Sequence, residues 1–173
     1  LLFFAIAANE EEEKEIKVTG IRVHQDQLTL ALGETDLVTA TVYPGNATNN
    51  EIYWKVSDPQ ILAVTDLGHS AQVNALSPGT AILTAVTRDG GFWDSCQITA
   101  IVLMRTLSLE PSEIELLPGE ELELKVTIEP PDATDQRLEW ESSDPVIATV
   151  SEEGKITAHK TGKTRVIVRS VQD

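Results

Sequence analysis

Residues 140–150 read WESSDPVIATV, and residues 54–64, which lie 86 positions earlier, read WKVSDPQILAV. Both stretches begin with a tryptophan, turn at Ser-Asp-Pro and end in an apolar run. The similarity continues on both sides at the same offset, until three additional residues near positions 69–71 shorten the offset to 83. Self-similarity at a fixed period indicates tandem copies of one folding unit.

Within each copy the apolar side chains recur with a period of two. Leu122, Leu124, Val126 and Ile128 alternate with polar residues, which predicts one strand with a buried face and a solvated face. Turn-forming dipeptides such as Pro-Gly and Asp-Pro separate these short strands, and no stretch shows a helical stripe. Short strands at this spacing predict an all-β fold of two sandwiches.

Composition narrows the classes of function. The chain has 173 residues, enough for two domains of ordinary size, and a net charge of −15 that would repel a nucleic acid backbone. Three Trp, two Tyr and three Phe argue against a broad aromatic binding platform. The single cysteine, Cys96, excludes an intrachain disulfide bond, so the sandwiches must be held by core packing.

The first sixteen residues differ in character from the rest. Residues 1–8 read LLFFAIAA, too few apolar residues to span a bilayer, so no transmembrane segment is expected in this chain. They are typical of an export-signal remnant with a small-x-small cleavage site at residues 5–7. An engineered leftover and an apolar strand meant for another subunit are the alternatives. Residues 9–16 are interpreted as an acidic linker.

We expect the first sandwich to occupy residues 17–103 and the second residues 104–173. In the first, residues 89–91 (DGG) predict the turn of a last hairpin whose final strand directs Cys96 inward as a buried core residue. The second copy ends without a corresponding hairpin and last strand. Either the chain is a fragment of a longer array, or another chain completes the sheet, with residues 1–8 as a candidate donor strand. A connection without a Gly- or Pro-rich linker predicts a stiff pair.

Three stretches of the second copy, residues 140–145, 147–150 and 154–158, resemble the bacterial Ig-like group 2 (BIG2) family, and the first copy carries their counterparts. The resemblance covers nearly everything from residue 17 onward. It implies two tandem immunoglobulin-like β-sandwiches in an extracellular, secreted or cell-surface protein, without catalytic activity. Each copy places one tryptophan on a strand between two turns, so Trp54 and Trp140 are predicted to be the central aromatic residues of the two cores.

Candidate chemistry is sparse. His24, His69 and His159 have no metal-ligand spacing, and the chain contains no nucleophile or phosphate-binding motif. Asp58, Asp132 and Asp144 lie in turns and could supply calcium ligands, although Asp-Pro is first of all a turn former. We therefore expect no cofactor, with calcium as the weaker alternative, and no enzymatic activity.

These observations favour a surface-exposed module for adhesion or interaction, whose partner would be a host protein, a matrix protein or a polysaccharide. Two alternatives remain open from the sequence. The chain could be a passive spacer that projects another domain, or an assembly subunit completed by strand complementation.

Overall fold

The computed structural model describes residues 14–171, which form fifteen β-strands and no helix. The predicted all-β architecture of two tandem immunoglobulin-like sandwiches is confirmed. Residues 1–13 lie outside the described range, and so does the expected export-signal remnant at residues 1–8.

The first sandwich consists of two four-stranded sheets, ordered β1-β3-β6-β5 and β2-β8-β7-β4. All pairings are antiparallel except that of β2 with β8, which is parallel with Leu28 opposite Ile98. The strands are β1 (Gly20–Val23), β2 (Gln27–Ala31), β3 (Thr35–Tyr43), β4 (Ile52–Val56), β5 (Leu62–Asp66), β6 (Ser70–Ala75), β7 (Gly79–Thr87) and β8 (Trp93–Ile101).

The core of the first sandwich lies between these sheets and follows the period of two. Every second residue of β7 and β8 is buried, and β3 and β6 supply the opposite face. Full burial of one large aliphatic side chain stabilises the fold by about 1.5–3 kcal/mol. The side chains with essentially no exposed surface include Val38, Leu62, Val73, Leu83 and Ile98.

The second sandwich is divided into smaller sheets, ordered β10-β14-β13, β11-β9 and β12-β15. Its strands are β9 (Thr106–Glu110), β10 (Glu121–Glu123), β11 (Lys125–Glu129), β12 (Leu138–Ser142), β13 (Ala148–Val150), β14 (Lys155–Ala158) and β15 (Val166–Ser170).

The single strand predicted over residues 122–128 is interrupted at Leu124, which separates β10 from β11. Its counterpart β3 continues for nine residues, because the insertion near residues 69–71 lengthens β6 to six residues and gives β3 a longer partner. The shorter β14 pairs with only three residues of β10. The alternation of side chains was therefore predicted correctly, whereas the continuity of the strand was not.

Residues 113–117 correspond to β2 of the first sandwich but form no strand. In the first sandwich β2 pairs only with β8, whereas in residues 104–171 no strand occupies the position of β8 and β15 pairs with β12 alone. Without a partner strand this segment leaves Leu117 69% exposed. The buried cluster of the second sandwich is correspondingly small and consists of Leu124, Ala148 and Ile156.

Candidate interaction surfaces

Cys96 lies on β8 with no exposed surface and is part of the first core. Burial, and secondarily the negative charge of Asp26, raises the pKa of the Cys96 thiol. The thiolate is the reactive form of cysteine. The environment of Cys96 therefore disfavours both ionisation of the thiol and access of a reagent to it.

Both predicted core tryptophans are half-buried and pack against the edge of their clusters. The Trp54 indole Nε1 donates a hydrogen bond to the Gly68 carbonyl oxygen over 2.9 Å. A Cβ atom placed on Gly154 would lie 2.6 Å from the Trp140 ring. Gly68 and Gly154 both have positive φ, at 81° and 82°. Trp54 therefore packs beside the turn between β5 and β6, and Trp140 packs beside the corresponding turn between β13 and β14.

The candidate metal ligands are not brought together. His24 and His159 contact threonine hydroxyls, and His69 contacts a backbone carbonyl, at three separate places. Asp58 and Asp144 each accept the amide of the residue two positions ahead, which is a turn-capping contact. Residues 14–171 contain no group of three or more His, Cys, Asp or Glu side chains suited to hold a metal ion. Over the same residues no helix has the length and apolarity needed to cross a membrane.

An aromatic row crosses the outer side of the sheet formed by β2, β4, β7 and β8. Tyr53 on β4 is opposite Val86 on β7, which is opposite Trp93 on β8. Trp93 is 69% exposed. We call the outward-facing residues of these four strands, with Arg88 directly after β7, the Trp93 face. The sequence contained part of this signal, since an inward Cys96 places Trp93 on the opposite side of the same strand.

Two cations accompany this row. The Lys55 ammonium lies 5.2 Å from the centroid of the Tyr53 ring, and the Arg88 guanidinium carbon lies 5.6 Å from it. Both distances are within the range of a cation–π interaction. Arg88 Nε also lies 3.2 Å from a carboxylate oxygen of Glu51. These contacts hold both positive charges next to the aromatic row.

The remainder of the Trp93 face carries uncharged side chains, mostly hydroxyls and amides, together with Ile82, which is exposed on β7. Within these four fully described strands the one carboxylate is that of Asp94, which accepts the Val23 amide over 2.8 Å on the other side of the sheet. The outward polar residues of β2, β7 and β8 are Gln27, Thr29, Thr80, Thr84, Ser95, Gln97 and Thr99.

The joint between the sandwiches contains no free linker. The Leu32 amide of the first sandwich donates to the Ile101 carbonyl oxygen over 2.9 Å. The next residue, Val102, donates its amide to Thr134 Oγ1 of the second sandwich over 2.7 Å, and its carbonyl oxygen accepts the Thr134 amide over 2.8 Å. Two consecutive residues therefore belong to the hydrogen-bond networks of different sandwiches.

The same arrangement occurs at the beginning of the first sandwich. The Ile16 amide donates to Thr48 Oγ1 over 2.9 Å, and the Thr48 amide donates to the Ile16 carbonyl oxygen over 2.8 Å. We call this pair of hydrogen bonds, joining a threonine to the residue 32 positions earlier, the threonine clamp. The sequence carries an Ala-Thr dipeptide in both copies, at residues 47–48 and 133–134, but neither the repeat nor the alternation of side chains predicts this role.

Comparison with known proteins identifies relatives along almost the whole chain. The family model of the bacterial Ig-like domain (group 2) matches residues 17–98 and 104–172. An uncharacterised protein of Clostridium acetobutylicum is 31% identical over 159 residues, which cover 91% of this chain and 16% of that protein. An Ig-like virion protein of Serratia phage KSP90 is 31% identical over 160 residues, covering 86% of this chain and 61% of that protein.

Among solved structures, the C-terminal 282-residue fragment of intimin, in complex with the intimin-binding domain of the translocated intimin receptor, has a TM-score of 0.43 and 18% identity. The match covers 89% of this chain and 60% of that chain. This chain therefore spans less than two thirds of the length of each of these three proteins. The family match, present once in each half, confirms the resemblance of the repeated motifs, and the chain belongs to the bacterial Ig-like domain (group 2) family, with two tandem copies of that domain.

Proposed function

We propose that this chain is a non-catalytic interaction module that acts outside a cell or on a virion, where it binds a ligand through the surface of its first sandwich. The observation that carries the proposal is the Trp93 face, where a large aromatic side chain is left exposed on a rigid sheet. Exposed apolar surface rimmed by polar groups is typical of interaction sites. The setting on a virion is supported by the similar Ig-like virion protein.

The absence of a convergent chemical site among the described residues agrees with a binding role. General acid–base catalysis needs a positioned proton donor or acceptor within reach of one reacting group. The histidines of the described range lie at separate places, and the carboxylates of Asp58 and Asp144 accept backbone amides. An interaction module needs only a surface of defined shape and charge.

A binding screen tests the proposal. The full chain, immobilised and shown to be folded by circular dichroism, is exposed to a panel of extracellular matrix proteins and polysaccharides. We expect saturable binding to at least one member of the panel and no binding by the same preparation after thermal unfolding. If folded protein binds nothing on the panel, the interaction proposal fails.

The joint favours a second candidate function, that of a stiff spacer. Because Ile101 and Val102 are hydrogen-bonded to different sandwiches, the connection has little freedom to bend. Small-angle scattering of the native chain is therefore expected to show a narrow distribution of particle dimensions. A variant with Gly-Ser-Gly inserted after Val102 should show a broader distribution. Equal breadth in the two proteins would exclude the spacer function.

A further inference from the structure

We propose that the Trp93 face binds an anionic polysaccharide, a glycan whose sugar rings carry carboxylate groups. The proposal rests on the proposed function of an interaction module and assigns both the site and the ligand class to it. Four features of the face lead to this ligand: an exposed indole, two fixed cations, a field of hydroxyl and amide side chains, and the absence of outward carboxylates from its four strands.

The exposed indole provides the surface for stacking. A pyranose ring has a face of C–H groups, and an indole offers a flat apolar face of similar width with a polar edge that remains in water. Trp93 is the first residue of β8 and is paired with Val86 of β7, so its backbone is already ordered before any ligand arrives. Binding therefore requires little ordering of the protein, and a preorganised site loses less free energy on association.

The two cations supply the charge preference. Lys55 and Arg88 are both within 5.6 Å of the Tyr53 ring centroid, and this ring is separated from Trp93 by the width of one intervening strand. A guanidinium has five N–H donors, so contact of Arg88 Nε with Glu51 leaves further donors for a ligand carboxylate. A sugar ring stacked on Trp93 would place a neighbouring carboxylate within reach of these cations.

The negative charge of the rest of the molecule increases the preference of an anionic ligand for the Trp93 face. A chain with net charge −15 repels an anionic polymer over most of its surface. The four strands of the Trp93 face direct no carboxylate outward, since Asp94 bonds to Val23 on the other side, and the carboxylate of Glu51, directly before β4, is paired with Arg88. An anionic ligand is therefore directed to this face by repulsion elsewhere as well as by attraction to Lys55 and Arg88.

The face is better suited to a glycan than to an acidic peptide. Extended peptides commonly bind at sheet edges, where they obtain main-chain hydrogen bonds. The backbone groups of β7 and β8 are used within the sheet, because each lies between two other strands. What remains on the face are hydroxyl and amide side chains, including Thr84, Ser95 and Gln97. Such groups match the alternating donors and acceptors of sugar hydroxyls.

The second sandwich provides an internal control. At the positions of Tyr53 and Lys55 it has Glu139 and Glu141, and the Glu141 carboxylate lies 3.2 Å from Arg169 Nη1. This sheet presents carboxylates where the first presents an aromatic ring and a cation. It should not contribute to binding of an anionic glycan.

The test is isothermal titration calorimetry of the full chain with three carboxylated probes (polygalacturonate, alginate and hyaluronan), with neutral dextran and with poly-glutamate. We expect at least one carboxylated glycan to bind, dextran and poly-glutamate to bind at least about tenfold more weakly, and binding to weaken as salt increases. Trp93→Ala should reduce affinity at least about tenfold, and Trp93→Phe should restore part of it. Lys55→Gln combined with Arg88→Gln should abolish the salt dependence, whereas Glu139→Gln should change nothing.

Three outcomes would overturn the inference: no binding of any carboxylated probe by folded protein, unchanged affinity in Trp93→Ala, or equal affinity for poly-glutamate. Trp93 is largely exposed, so its replacement should leave the fold intact, as circular dichroism can verify. If a matrix protein or a neutral glycan binds the native chain and the Trp93→Ala variant equally well, the chain still acts as an interaction module, but the Trp93 face is not its binding site. Failure of every ligand in the wider screen would instead contradict the proposed function itself.

Discussion

The two sandwiches share the hydrogen bonds of the serine before the Asp-Pro turn but differ in how far their cores are closed. Ser57 exchanges two hydrogen bonds with Ile82 on β7, and Ser143 exchanges two with Arg165, directly before β15, all at 2.8–2.9 Å. The first sandwich nevertheless buries an extensive cluster between two four-stranded sheets, whereas the buried cluster of the second contains three residues. Matching turns therefore set the topology, and the strand at the position of β8 determines closure of the core.

The largest loss of stability is expected from substitutions at corresponding core positions of the two sandwiches. Leu83 has no exposed surface, so Leu83→Ala should destabilise the first sandwich by about 2–5 kcal/mol. Val166 occupies the corresponding position of β15 and is only half-buried, so Val166→Ala should cost about 1 kcal/mol. Native-state hydrogen exchange, resolved by peptide, measures both sandwiches in one protein. Equal losses of stability in the two variants would contradict the conclusion that the core of the first sandwich is more completely closed.

A smaller loss of stability is expected from substitutions at the threonine clamp. Thr134→Val preserves the shape of the side chain but leaves the amide of Val102, which is 8% exposed, without its acceptor. An unsatisfied buried donor costs about 1–3 kcal/mol. Thr48→Val is the matched control, because Ile16 is 38% exposed and water can replace the hydroxyl there. Chemical denaturation should therefore show the larger loss for Thr134→Val, and the reverse order would refute the role assigned to the joint.

The smallest effect on stability is expected from a carboxylate, that of Asp135, which the second copy has where the first copy has Asn49. Asn49 and Asp135 each accept the amide two residues ahead, over 3.1 and 3.0 Å. Hydrogen bonds from the Arg137 side chain lower the pKa of the Asp135 carboxyl to about 2. Because this pKa lies below the ~3.9 of an unfolded aspartate, the stabilisation is complete above about pH 4 and is lost as pH falls through 2.

Carboxyl NMR titration tests this assignment. The native protein should show Asp135 titrating near 2, and Arg137→Gln should return its pKa towards the ordinary value. Asp135→Asn, which recreates the arrangement of the first copy, should retain the turn and remove this titration. An unshifted Asp135 in the native chain would show that the Arg137 contact does not form in solution.

The repeat and the alternation of side chains predicted the fold class and the inward orientation of Cys96. The interruption of the strand expected over residues 122–128 was not predicted. The interruption at Leu124 depends on the length of β14, a strand more than thirty positions away in the chain. Strand continuity is a property of the partner strand as well as of the strand itself. The domain boundaries at residues 17–103 and 104–173 remain a prediction.

The candidate site was less predictable than the fold. Few aromatic residues argued against a broad aromatic platform, and the structure indeed has a small one. Its formation depends on the register that brings Tyr53, Val86 and Trp93 into one row across three strands. Alternation assigns each residue to a face, but it does not determine which residues on different strands become neighbours.

The joint has a mechanical consequence. A pulling force along the chain would enter the first sandwich at Val102 and pass directly into β8, because no slack linker absorbs extension first. Since β2 runs parallel to β8 through five residue pairs, tension on the two ends of this sandwich would load those pairs together in shear. The strands of the first sandwich are thus arranged to bear load as a unit.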